Sequence, residues 1–189
     1  MSNEKNNLHK EADLKLKRKM KRNLIKEQRN ALIKEYAENN PDFQSGRKIV
    51  YNLLTILIMS RILHFILVIT HIIINGNYLG TFGVFLQIFQ VLIACCFAII
   101  IYSIGVKGLV YLALIGGIYS LYSAFQKNAF YGFGNDDILF NINVVIFIIS
   151  MTMQIFSMTF FIFNNKCKVF FNVMPSIVKE WQKIVKAEL

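Results

Sequence analysis

Apolar residues along this chain are gathered into four long runs, at residues 49–74, 79–104, 109–125 and 138–163. Each run is helical in length, and a helix of about 20 apolar residues crosses the roughly 30 Å hydrocarbon core of a bilayer. Between them lie polar breaks: Asn75-Gly76-Asn77, then Gly105, Lys107 and Gly108, then a longer loop from Gln126 to Asp137. Glycine and asparagine at such points mark turns. The pattern predicts an all-α membrane protein, a four-transmembrane-helix antiparallel bundle over residues 49–164, since short connections make successive spans antiparallel neighbours. The first run is too long for a cleavable signal and has no small-residue cleavage site, so it reads as a retained signal anchor.

The flanks are polar and periodic. Residues 1–48 form a basic cytoplasmic arm, with a helix expected over 8–38 that ends before Asn39-Asn40-Pro41, because the residue before proline is pushed out of helical geometry. Lys15, Lys17, Arg18, Lys19, Lys21 and Arg22 make a dense positive block on it, suited either to anionic lipid or a partner, or to enforcing topology alone. Residues 165–189 form a basic amphipathic tail. With Pro175 as first helical residue, Ile177, Val178, Trp181, Ile184, Val185 and Leu189 share one face, opposite Lys179, Lys183 and Lys186. Basic residues opposite an apolar face bearing tryptophan describe a helix at the membrane surface, so Lys179, Trp181, Lys183 and Lys186 are the expected surface contacts. An apolar face docked on a partner protein is the competing reading.

Charge then orients the bundle. The net charge is +10, with thirteen Lys/Arg against seven Asp/Glu in residues 1–48 and five Lys against two Glu in residues 166–189. The loop after the third run is net acidic and the turn after the second carries Lys107. All of this agrees with both termini in the cytoplasm. The same rule accounts for the basic balance without nucleic acid as a partner. A bacterial plasma membrane is favoured over a eukaryotic internal membrane by the chain's small size and minimal loops.

One run contains a cation. Arg61 lies about twelve residues into the first span, where a guanidinium costs at least about 2.5–3.5 kcal/mol unless paired or wetted. On a helix, Arg61, His64, His71 and Asn75 fall within about 80° of one another, forming a polar stripe on one face. The four runs contain no Asp or Glu to balance it. Three resolutions are open. Neutral acceptors in the chain could serve: Gln87 and Gln90 on the second span, or Asn141, Asn143, Ser150, Thr152, Gln154 and Ser157 on the fourth. A partner subunit could bring a carboxylate, or an anionic ligand or lipid headgroup could bind. Gly80 and Gly83 on the second span, and Gly116 and Gly117 on the third, allow close helix packing.

Catalytic, metal and cofactor motifs are not expected. His64 and His71 are seven apart, too far for the usual two-histidine chelate, and no spacing of Cys95, Cys96 and Cys167 resembles a metal or redox motif. The cysteines read as packing residues, with palmitoylation of Cys167 a weaker option. Asp136 and Asp137 read as topology determinants, with a cation site the weaker reading because two carboxylates alone bind poorly. The expected function is a non-enzymatic accessory or regulatory membrane subunit, contacting partner membrane proteins or its own copies through its spans and the bilayer through its basic ends. The alternative is a small oligomeric anion channel or transporter using the Arg61 stripe.

Overall fold

Asparagine and proline punctuate the helices. Asn40 separates α1 (Ser2–Asn39) from α2 (Pro41–Asn75), with Pro41 at the first helical position, where its missing N–H costs nothing. There follow α3 (Thr81–Ile104), α4 (Lys107–Gln126), α5 (Ile138–Phe163) and α6 (Asn165–Ala187). This computed structural model describes the backbone of residues 2–75, 81–126, 134 and 137–187, and the side chains of those residues other than 2–18, Arg22, Asn75 and 81–87. Among the described residues there is no strand.

Helix α2 starts eight residues before the apolar run at 49, because the polar segment from Pro41 to Lys48 continues the same helix. The tail differs more from expectation. Helix α6 starts at Asn165, not at Pro175, which lies inside it. The cause is local: Asn164 Oδ1 accepts from the backbone N–H groups of Lys166 (3.0 Å) and Cys167 (3.2 Å), which caps the helix ten residues early. Cys167, Phe170, Phe171 and Met174 then repeat at helical spacing as a buried face. Pro175 removes one internal hydrogen bond.

Among the described residues, three helices are long and apolar enough to cross a membrane: α2 through Ile74, α4 and α5. Their outward faces expose large apolar side chains, among them Ile73, Ile115, Ile138 and Phe163, each more than 60% exposed. Contiguous apolar surface of this kind is unfavourable in water and matches lipid. The chain is an all-helical membrane protein.

The fold divides into two compact units, and both divisions fall at a proline: Asp42–Met174 is one, Met1–Pro41 with Pro175–Leu189 the other. In the first, α2 and α5 run antiparallel in a continuous register. His71 meets Asp137, the carbonyl of Leu67 meets Asn143, His64 meets Phe147, and Ser60 meets Ser150. Helix α5 also lies against α4, where Gly117 brings the backbone close to Gln154 and Ile155. Gly105, with φ of 71°, ends α3 and turns the chain directly into α4. Tyr51 and Tyr102 pack with ring centroids 5.5 Å apart, joining α2 to α3, and Arg47 lies over the Tyr102 ring. Phe43, Phe170 and Phe171 complete an aromatic cluster at that end. There Gly46 meets the carbonyl of Lys166 so closely that no Cβ fits.

In the second unit, α1 lies against the end of α6. Trp181 Nε1 donates to the carbonyl of Ile25 (3.1 Å), Arg29 lies over the indole, and the Tyr36 hydroxyl donates to Glu180 Oε2 (2.9 Å). That last bond, with the Glu180 charge, holds the Tyr36 phenol above its ordinary value of 10.0.

Candidate functional site

The polar stripe on α2 turns toward α5. Arg61 Nη2 donates to Gln154 Oε1 and to the Met151 sulfur (3.2 Å). Gln154 Nε2 in turn donates to the Ala113 carbonyl on α4 (2.7 Å), so one carboxamide joins three helices. A carboxamide suits this position because it accepts from the cation with one atom and donates with the other. Ser60 Oγ lies 3.2 Å from Ser150 Oγ and also bonds the Leu57 carbonyl. His64 packs against the Phe147 ring. Asn143 Nδ2 donates to the Leu67 carbonyl, whereas its Oδ1 is buried with no partner among the described residues.

At the far end of the stripe, His71 Nε2 is 3.0 Å from Asp137 Oδ2. Asp137 Oδ1 accepts from the Phe140 N–H (2.9 Å), so the residue caps α5 while it pairs with the histidine. Asp137 was expected mainly to set topology. The available signal was its place immediately before an apolar run, which is an N-cap pattern.

Arg61 and His64 border a cavity of about 830 Å³ between α2, α3, α4 and α5. Gln90, Ser120, Ser123, Asn143 and Gln154 supply the rest of its non-aromatic polar lining, and Leu54, Phe97, Ile101 and Met158 are among its apolar residues. Gln90 thus shares the cavity with Arg61. The side chains of Asn75 and Gln87, and the packing of Gly80 and Gly83, lie outside the described residues, as do Asp136 and the side chains of Lys15, Lys17, Arg18 and Arg22. The two α4 glycines differ: a Cβ on Gly117 would press on Gln154 and Ile155 at 3.2–3.3 Å, and one on Gly116 meets nothing within 4 Å.

The remaining residues singled out by sequence lie elsewhere. Lys179, Lys183 and Lys186 are exposed, and Trp181 has a protein neighbour in α1. Cys167 is fully buried, which pushes its thiol up to about 11 and leaves no access for acylation. Among the described residues no group of three His, Cys, Asp or Glu side chains could hold a metal ion. No protein-family model, curated protein or solved structure matches this chain.

Proposed function

We propose that this protein is a non-enzymatic accessory or regulatory subunit of the membrane, with α3 as a fourth span in an antiparallel bundle and both termini in the cytoplasm. The carrying observation is the helix pair of α1 and α6. It is held by Trp181, Arg29 and Tyr36, and it leaves Lys19, Lys21, Lys26, Lys179, Lys183 and Lys186 exposed. A preorganised basic surface suits anionic headgroups or an acidic partner segment. The positive-inside rule places that surface in the cytoplasm.

Lateral contacts would fall on outward faces, not on Arg61, which borders the internal cavity. Helix α4 offers Tyr111, Ile115, Ile118 and Tyr122 in one exposed row for a neighbouring span or a second copy. The anion channel or transporter draws on Arg61 beside a cavity, but an apolar half of that cavity offers a hydrated ion no ligands.

The test is gentle extraction of a tagged native copy, followed by mass spectrometry and sizing. A stoichiometric membrane partner or a defined homo-oligomer is expected. Lys179→Glu, Lys183→Glu and Lys186→Glu together should weaken binding to acidic vesicles and leave insertion intact. A lone monomer with unchanged vesicle binding in the triple variant would sink the reading.

A further inference from the structure

We propose that the cavity between α2, α3, α4 and α5 binds one single-chain anionic lipid. Its carboxylate or phosphate head is held by Arg61, and its tail extends toward the amino-terminal end of α2. This site lies inside the apolar helices and is independent of the basic surface proposed for docking.

The cavity is polar at one end and apolar at the other. Contacts between α2 and α5 fix the levels along the axis: Ser60 with Ser150, His64 with Phe147, Leu67 with Asn143. From Arg61 toward His71 the lining gains His64, Asn143 and, on α4 beyond Gly117, Ser120 and Ser123. Gln90 belongs to the same end. It lies twelve residues before Tyr102, and His64 lies thirteen after Tyr51, the partner of Tyr102. At 1.5 Å per residue both are about 18–20 Å from that aromatic pair. In the other direction the lining is Leu54, Leu57, Ala98, Ile101 and Met158 around Gln154, the one polar side chain there, which is already bonded to Arg61 and the Ala113 carbonyl.

The charge at the junction asks for an anion. A guanidinium has five N–H donors. The contacts of Arg61 use Nη2 alone, and both acceptors, Gln154 and Met151, are neutral. No Asp or Glu occurs in α3, α4 or α5, or in α2 beyond Asp42. A desolvated cation with spare donors binds carboxylate or phosphate strongly, because the competing water is gone. The unpartnered Asn143 Oδ1 lies at the polar end, level with Leu67 and about two helical turns from Arg61, and wants a donor, which a water there provides. The apolar end then distinguishes an amphiphile from a free ion: a hydrocarbon tail gains by filling it, whereas a hydrated anion gains nothing there. The volume of about 830 Å³ falls within the roughly 300–1,000 Å³ of small-molecule sites.

The experiment uses the purified full chain in a neutral detergent, with bound lipid counted by native mass spectrometry and thermal shifts recorded on titration. The probes are lysophosphatidylglycerol, palmitate, lysophosphatidylcholine and sodium phosphate. One anionic single-chain lipid per chain is expected, with at least tenfold weaker binding of the zwitterionic lipid and none of phosphate. Arg61→Gln, which keeps a donor for Gln154, should weaken the anionic lipids tenfold or more. Ala98→Phe, which fills the apolar end and leaves Arg61 in place, should do the same. Should Arg61→Gln fail to fold, Ala98→Phe and the headgroup series still decide. Equal binding of anionic and zwitterionic lipids, phosphate binding as tight as the lipids, or unchanged affinity in Ala98→Phe would each overturn the assignment.

Discussion

The guanidinium of Arg61 and the carboxamide of Gln154, 93 residues apart in the chain, are hydrogen-bonded between α2 and α5. Hydrogen bonds to a charged group are worth about 1.5–3 kcal/mol, and the loss is greatest when the charge is left buried and alone. Gln154→Leu should therefore lower the thermal midpoint in detergent by an amount equivalent to about 1.5–3 kcal/mol. Arg61→Met combined with Gln154→Leu should recover the part due to the stranded guanidinium, because only the Gln154 bond to the Ala113 carbonyl is then still lost. A double-mutant cycle checks this, and additive losses would show that the two residues are not coupled.

Two glycines on one helix should behave in opposite ways. Gly117→Ala presses on Gln154 and Ile155 and should destabilise, whereas Gly116→Ala has open space and gains the better helix former, worth about 0.5–1 kcal/mol. Gly46→Ala should be the most damaging of the three, because its Cβ meets the Lys166 backbone, which cannot swing aside as a side chain can. Thermal unfolding of the three variants gives the order directly.

The phenol of Tyr36 donates its proton to Glu180, so its pKa is raised and the bond exists only in the protonated form. A raised value means the contribution is complete below pH 10.0 and fades as pH climbs through the folded value. The chain has one tryptophan, Trp181, seated on α1 beside this pair. Its fluorescence should change as pH rises above about 10, and Tyr36→Phe should remove that transition.

Cys167 should resist modification. With its thiol at about 11, only about one part in a thousand is thiolate at pH 8, and the side chain is fully enclosed. In a Cys95→Ala, Cys96→Ala background, maleimide labelling should be negligible in the folded protein and complete after denaturation. Because burial raises this group as well, its contribution to stability is present below its ordinary value of 9.0 and is lost as pH rises through about 11.

The apolar helices were legible because periodicity and length are properties of one segment at a time. The 138–163 run and helix α5 coincide, and the other runs differ from α2, α3 and α4 at their ends, most at Pro41. The Arg61 stripe was legible for the same reason. Its acceptor was not, since Gln154 was one of several polar residues on the fourth run and only the register between α2 and α5 selects it. The start of α6 was missed because Pro175 is a stronger textual signal than Asn164, yet a cap that satisfies two backbone donors fixed the helix ten residues earlier. Trp181 on a basic amphipathic face favours the membrane surface over a protein partner in a sequence, and the acceptor of its indole hydrogen bond, the Ile25 carbonyl, lies on α1, far away along the chain.

The separation between Arg61 and Gln154 also has a consequence in time. At about 5–20 residues per second, synthesis needs roughly 5–20 s to add the 93 residues between them. Throughout that interval a nascent α2 carries its charge with no α5 to receive it. The newborn helix must borrow another acceptor, whether translocon, chaperone or lipid headgroup, and surrender it when α5 arrives. Truncations that stop short of α5 should therefore be ready substrates for membrane quality control, even though every residue of α2 is present.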